Sequence, residues 1–423
     1  MGFVVIVAIL SSFLLTPLAM RAAWRCGAVS RPDGFRKKHA RPTPEWGGLA
    51  VNSAILIGIG LSVVLCPADL PALPLTAALA ISIGMLSVLG CYDDLCDMRA
   101  DLKLLGQVLS AVPLILAGCY AERLILFGQT IELGWLGIPW TIGWIVLGIN
   151  ALNLIDGMDG LASTAGIIMA LAVAAIAAIT GHQHAMLIAL VLAGALGGFL
   201  AHNLPPARIY LGDCGSMVIG LVLAALALRA GSEAGAANLT QIGALLFVPL
   251  CDTLLAVVRR GLAGRGIMVA DRAHVHHRLL DRGFGVWGSL AVLGGLSLGA
   301  GAMGCLVVLT GQEYWAWLSA VAAVAFCVRQ QLFGHEEWGR VKSLFVDRAA
   351  RRRAAVPGHT SDSPLGPAEA AREASVMAGL SGRQIAGLPT GQTNYPLGTN
   401  AVLAGSQSVS SANSGRKYVG MLG

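Results

Sequence analysis

From Gly90 to Asp97 the chain reads GCYDDLCD, three carboxylates within five residues behind the apolar run TAALAISIGMLSVLG. On a continuing helix Asp93, Asp97 and Asp101 would share a face, with Asp94 beside Asp97. Like charges that close repel unless a cation offsets them. An ordinary hydrated helix end is the plain alternative. Abutting a run long enough to cross a bilayer, these acids point instead to a divalent-metal or proton-transfer site. Asp93, Asp94 and Asp97 are therefore the candidate catalytic residues.

Four further clusters are left unexplained by hydropathy. In NALNLIDGMDGLA, Asn150, Asn153, Asp156 and Asp159 recur every third residue where Gly157 and Gly160 interrupt two apolar runs, which suits a phosphorylated ligand or magnesium. In ARIYLGDCGSMVIG, Asp213 lies between glycines just before an expected helix. It reads either as a plain cap or as a carboxylate sharing metal and phosphate with the helix amino terminus. RPDGFRKKHARPTPEWGG offers Arg36, Lys37 and His39 as phosphate donors from a loop shaped by prolines. VPLCDTLLAVVRR places Asp252 beside Pro249 in a run expected to span, and ADRAHVHHRLLDRG carries His274, His276, His277 and Arg278, with no acid or cysteine at zinc spacing.

These residues must be positioned by membrane helices. The 423 residues are 56% apolar and 12% charged, with a mean hydropathy of +0.71, so the expected class is an all-α polytopic membrane protein. Apolar runs predict about eleven spans, near 3–20, 48–66, 72–92, 103–119, 137–155, 159–180, 183–203, 215–230, 238–258, 286–309 and 314–333. The first run lacks a preceding Lys or Arg and reads as a retained span rather than a signal peptide. Alternate connections hold sixteen Lys and Arg on one side and only Arg123 and Arg229 on the other. The positive-inside rule then puts the amino terminus outside, the carboxyl terminus in the cytoplasm and every polar cluster on the cytoplasmic face. Residues 122–133 alternate around Gly128-Gln129 and predict a short external β-hairpin. The expected organisation is a membrane domain over 1–335 and a cytoplasmic, largely disordered tail over 336–423. Nine scattered cysteines form no disulfide or zinc pattern. The net charge of +6 is accounted for without nucleic acid.

Acids to hold a cation and cations to hold phosphates, gathered on one membrane face, suit phosphoryl transfer. In consistent order, RKKHARPTPEWGG, DDLCD with KLLGQ, NALNLIDGMDG, YLGDCGS, PLCDT and ADRAHVHHRL resemble the polyprenyl-phosphate N-acetylhexosamine-1-phosphate transferases, over about residues 1–335. Phospho-N-acetylmuramoyl-pentapeptide translocase is a cousin. The resemblance implies transfer of a sugar-1-phosphate from a UDP-sugar to undecaprenyl phosphate with Mg²⁺ or Mn²⁺, giving the lipid-linked diphospho-sugar and UMP. It implies Asp213 and Asn153 as metal ligands and Asp93 and Asp94 assisting the lipid phosphate. Asp156 and Asp159 would face the nucleotide sugar. His274, His276, His277 and Arg278 would bind its diphosphate, with Lys37 and His39 lining the pocket. HVHHR in place of adjacent histidines, and Asp97 where the translocase has Lys, favour the N-acetylhexosamine branch, UDP-N-acetylglucosamine being the expected donor and a phospho-MurNAc-pentapeptide donor the alternative. The setting implied is the bacterial inner membrane, at the start of O-antigen, lipopolysaccharide or teichoic-acid linkage synthesis. The partners expected are the two substrates and membrane lipid, and a homodimer is compatible with them. A cation- or proton-coupled transporter also uses carboxylates at broken helices and stands as the competing class.

Overall fold

In a hydrocarbon environment backbone groups must satisfy one another, so apolar runs become helices. The structure, a computed structural model, describes residues 1–31, 42–65, 73–230, 235–262 and 274–329. The tail expected over 336–423, and the loop carrying Lys37 and His39, lie outside the described residues. The helices are α1 (Gly2–Cys26), α2 (Gly47–Leu65), α3 (Leu73–Cys96), α4 (Ala100–Leu116), α5 (Gly137–Ile155), α6 (Leu161–Ile179), α7 (Gln183–Asn203), α8 (Asp213–Ala230), α9 (Leu239–Leu245), α10 (Phe247–Leu262), α11 (Val275–Asp281), α12 (Gly285–Thr310) and α13 (Tyr314–Arg329). Among the described residues eight are long and apolar enough to cross a membrane, or nine if α9 and α10 are one broken span.

That break departs from the continuous span expected over 238–258. α9 and α10 meet at 90° around Leu246. Pro249 is the third residue of α10, where a missing N–H costs nothing, so the turn comes before the proline rather than at it.

α8 is the axis of the bundle: 89% of its residues are buried, and α2, α3, α5, α6 and α7 pack around it. The outer helices expose large apolar side chains such as Leu14, Val64, Val88, Leu298 and Val321, a surface suited to lipid rather than water. Small residues set the closest approaches. A Cβ on Gly148 of α5 would meet the Ala224 methyl of α8 at 2.8 Å, and the Trp144 indole N–H donates to the Ala224 carbonyl at 3.0 Å.

Little sheet accompanies the helices. β1 (Val29–Ser30) pairs antiparallel with β2 (Thr43–Pro44). The expected hairpin is present as β3 (Arg123–Leu126) and β4 (Gln129–Glu132), Arg123 opposite Glu132, with the turn at Phe127-Gly128, one residue earlier than expected. Both turn residues have positive φ, 49° and 72°, as a two-residue hairpin of this type requires. β5 (Ala236–Asn238) adds to β3 in parallel. The Glu313 carboxylate fastens this corner, accepting from the Phe127 N–H at 2.8 Å, Asn238 Nδ2 at 3.0 Å and the Thr240 hydroxyl at 2.6 Å.

Candidate active site

Glycines bring three helix ends to one point. A Cβ on Gly90 of α3 would lie 2.7 Å from the Asp213 carbonyl carbon and closer still to Cys214. One on Gly48 of α2 would lie 2.8 Å from the Cys214 carbonyl carbon. No other residue permits backbones to approach so closely. The approach places the last turn of α3 against the amino terminus of α8. Asp94 Oδ1 accepts the Asp213 N–H at 2.8 Å and Oδ2 the Cys214 N–H at 3.4 Å, so Asp94 satisfies donors that the helix start leaves open.

Asp93 lies one residue earlier, its Oδ1 accepting the Met98 N–H at 2.7 Å. Its other oxygen meets Lys103 Nζ, from the first turn of α4, at 2.7 Å, and the same ammonium donates to Asp213 Oδ2. Asn153, near the end of α5, donates to Asp213 Oδ1 at 2.7 Å and to the Ser216 hydroxyl at 3.0 Å. Asn150, one turn before, is tied to Gln107 of α4 at 2.7 Å. Lys103 of α4 and Asn153 of α5 thus hold the Asp213 carboxylate directly, with Asp93 of α3 on the same ammonium.

Asp156 follows α5 directly, near Asp213 and Glu45; burial pushes its carboxyl up to about 8, and both neighbouring carboxylates push the same way. β2, which leads into Glu45, is stapled to the loop before α8, the Tyr210 N–H donating to the Pro44 carbonyl at 2.8 Å and the Gly47 N–H to the Tyr210 carbonyl at 2.9 Å. Asp159 has one oxygen committed to the Ala207 N–H at 2.9 Å, which shapes the loop after α7.

The histidines arrive on α11. Buried Asp252 accepts from the Val275 N–H at 3.2 Å and lies 2.9 Å from His274 Nδ1, so it both caps α11 and fixes that ring. His276 and His277 have ring centroids 4.2 Å apart. His276 points its Nε2 at Gly157, where any Cβ would collide with it, and this buried nitrogen has no hydrogen-bond partner. Burial drives its pKa down to about 3, so at neutral pH it is an uncharged imidazole rather than a cation. Arg278 is on the same short helix.

The structure therefore brings together Asp93, Asp94, Asn153, Asp156 and Asp213, with Asp159 turned to the Ala207 N–H and the α11 histidines reaching the same loop at Gly157. Asp97 is not brought in. α3 ends at Cys96, Asp97 has φ 46° and is exposed, and Asp101 pairs with Arg99 at 2.8 Å in a separate helix. The shared face expected for Asp93, Asp97 and Asp101 does not form, because the helix that would build it stops. Lys103 is the residue whose role the sequence left open. Its one signal was a cation in the first turn of an apolar run, next to unpaired acids.

Comparison with known proteins fits this geometry. A family model described as "Glycosyl transferase family 4" matches residues 76–231, the stretch from α3 to α8 that holds the whole carboxylate cluster. Over 291 residues, 68% of this chain and 79% of the relative, the chain is 33% identical to a Bacillus subtilis protein named "Probable undecaprenyl-phosphate N-acetylglucosaminyl 1-phosphate transferase". The chain belongs to glycosyl transferase family 4. Within that family it is 37% identical over 314 residues to the decaprenyl-phosphate N-acetylglucosaminephosphotransferase of Mycobacterium tuberculosis (65% of this chain, 74% of the relative). It is 31% identical over 295 residues to a phospho-N-acetylmuramoyl-pentapeptide-transferase of Moorella thermoacetica (65% and 88%). These are transferase names, and membership in glycosyl transferase family 4 displaces the transporter reading.

Proposed function

We propose that this member of glycosyl transferase family 4 moves N-acetylglucosamine-1-phosphate from UDP-N-acetylglucosamine to undecaprenyl phosphate, releasing UMP. A lipid-phosphate oxygen forms a bond to the sugar-bearing phosphorus as the bond from that phosphorus to the UMP oxygen breaks. The observation that carries this reading is the convergence of Asp93, Lys103, Asn153 and Asp213 at the amino terminus of α8. Carboxylates sharing one cation there are the arrangement that phosphate chemistry at a membrane surface needs.

The donor set fits Mg²⁺ or Mn²⁺. Asp93 and Asp213 supply hard carboxylate oxygens that already meet at a single positive charge, and the Asn153 amide, whose nitrogen now donates to Asp213, would add its oxygen to an ion there. Among the described residues no three His, Cys, Asp or Glu side chains form a ready cage. Magnesium is commonly held by one or two carboxylates together with substrate phosphates. Such an ion would neutralise charge on the transferring phosphoryl group. The protein residues do the positioning. Asp94 orients Asp213 through the α8 backbone. Lys103 keeps Asp93 and Asp213 facing one centre. Asp252 holds His274, with His276, His277 and Arg278 beside it, for the donor diphosphate. A phosphate monoester with a second pKa of about 6 is largely ionised at neutral pH, so Asp93 serves to orient the lipid phosphate more than to deprotonate it.

The same proposal places eleven crossings in the membrane, counting α4 and α13 as short spans and α9 with α10 as one broken span. The amino terminus would be outside and the site on the cytoplasmic face of a bacterial inner membrane. The test is purified protein with undecaprenyl phosphate, Mg²⁺ and a panel of radiolabelled UDP-sugars. Label should enter the organic phase from UDP-N-acetylglucosamine and disappear in EDTA. Transfer only from the muramoyl-pentapeptide donor would overturn the choice of sugar, and undiminished transfer in EDTA would remove the metal.

A further inference from the structure

At the end of the bundle opposite the carboxylate cluster, a cavity of about 400 Å³ opens between the ends of α3, α4, α7 and α8. None of the transfer chemistry uses it. Its rim is polar: Arg229 from the last turn of α8, and His182, Gln183 and His184 from the start of α7. Its depth is apolar, lined by Leu79, Leu114, Ile188 and Leu226, which lie one to two turns inward along their helices.

Arg229 is the informative member. Only two basic residues lie on this side of the chain against sixteen on the other, so topology does not account for it. It ends a helix that is otherwise almost wholly buried, and among the described residues no acidic side chain lines the cavity with it. A half-buried guanidinium at the rim of an apolar cavity suits an anion, and its planar fork matches phosphate. The Gln183 amide supplies a further donor, and the two imidazoles line the rim beside it, His184 Nε2 lying 2.8 Å from the Thr76 hydroxyl. A soluble phosphate would leave the apolar walls empty. A phospholipid fills both halves, its headgroup phosphate on the rim and the first carbons of its chains between Leu79, Leu114 and Ile188.

We propose that this cavity is a binding site for an anionic phospholipid, in the leaflet opposite the catalytic end and separate from the acceptor-lipid site. The test uses the full-length protein reconstituted with mixed phosphatidylglycerol and phosphatidylcholine, re-extracted into detergent, and analysed for retained lipid by native mass spectrometry. Wild type should retain phosphatidylglycerol over phosphatidylcholine by about tenfold, the range expected for charge-assisted hydrogen bonds. In Arg229→Gln the preference should vanish, and in Arg229→Lys it should persist in weakened form. Ala117→Trp, which fills the cavity from its α4 side while keeping Arg229, should release both lipids. Inorganic phosphate should not displace the bound lipid. An unchanged preference in Arg229→Gln, with the variant eluting as a single species and melting like wild type, would overturn the proposal. Displacement by phosphate would overturn it too, by marking a soluble-anion site.

Discussion

Gly90→Ala tests how the site is assembled, because the cost can be worked from coordinates. The added methyl would lie 2.3 Å from the Cys214 Cα. Ordinary carbon–carbon contact begins near about 3.5 Å, so α3 and α8 must part by about 1.2 Å. Backbone atoms on both sides leave no side chain to swing aside. The same displacement lengthens the bond from the Asp213 N–H to Asp94, now 2.8 Å, to about 4.0 Å, beyond hydrogen-bonding range. Overpacking of this kind costs about 1–3 kcal/mol, against a gain of at most about 1 kcal/mol from helix propensity. Misplacement near an ångström at a reacting centre costs about a hundredfold in rate. The expected outcome is a slightly less stable protein with transfer reduced about a hundredfold. Gly84→Ala on the same helix is the control: nothing lies within 4 Å of its added Cβ, so it should be neutral. Transfer of labelled sugar to lipid, with a thermal melt alongside, reads both. Full activity in Gly90→Ala would refute the idea that this contact holds Asp94 on Asp213.

Other expectations follow from individual contacts. Lys103→Met leaves Asp93 and Asp213 facing each other without their shared cation; partly buried groups of this kind cost about 2–3 kcal/mol when orphaned, read as a lower melting temperature, and transfer should fall with it. Asp252→Asn removes the charge and one of the two oxygens that meet His274 and the Val275 N–H, so both contacts can no longer be made together; KM for the UDP-sugar should rise about tenfold or more, as for loss of a charge-assisted hydrogen bond, with little change toward the lipid substrate. Asp156 has a folded pKa near 8 against an ordinary 3.8, so burial favours its protonated form. Its contribution to stability is complete below about pH 4 and is lost as pH rises to about 8. Melting of wild type should therefore decline relative to Asp156→Asn across that window, and parallel curves would refute the assignment. His276 has the opposite sign: its folded pKa is near 3 against 6.5, so stability is present above pH 6.5 and lost as pH falls toward 3. His276→Gln should flatten that acid limb.

The helices were legible because hydrocarbon leaves an apolar run few alternatives, and the β3–β4 hairpin was legible from alternation around a glycine turn. The break at Leu246 was not, since an apolar sequence runs through it and the turn accompanies contacts at a distance, the Glu313 hydrogen bonds at the start of α9 among them. β5 was equally hidden, three small residues pairing with a strand more than a hundred residues earlier. At the site, residue types placed Asp93, Asp94, Asn153, Asp156 and Asp213 on one list, but their roles depended on which helix ends meet. Periodicity carried Asp97 along because nothing in DDLCDMRAD announces that α3 stops at Cys96. Lys103 acquires its role only when α4 folds back against α3 and α8. Asp252 was conspicuous as a charge in an apolar run, yet its partner is 22 residues away in sequence.

Whether transfer occurs at Asp213 is read from the initial rate of lipid-linked sugar formation by folded Asp213→Asn beside wild type, with undecaprenyl phosphate, UDP-N-acetylglucosamine and Mg²⁺ saturating. The rate should fall by about a hundredfold or more with an intact thermal transition. A variant that transfers sugar at the wild-type rate would mean that the chemistry occurs somewhere other than where α3, α5 and α8 converge.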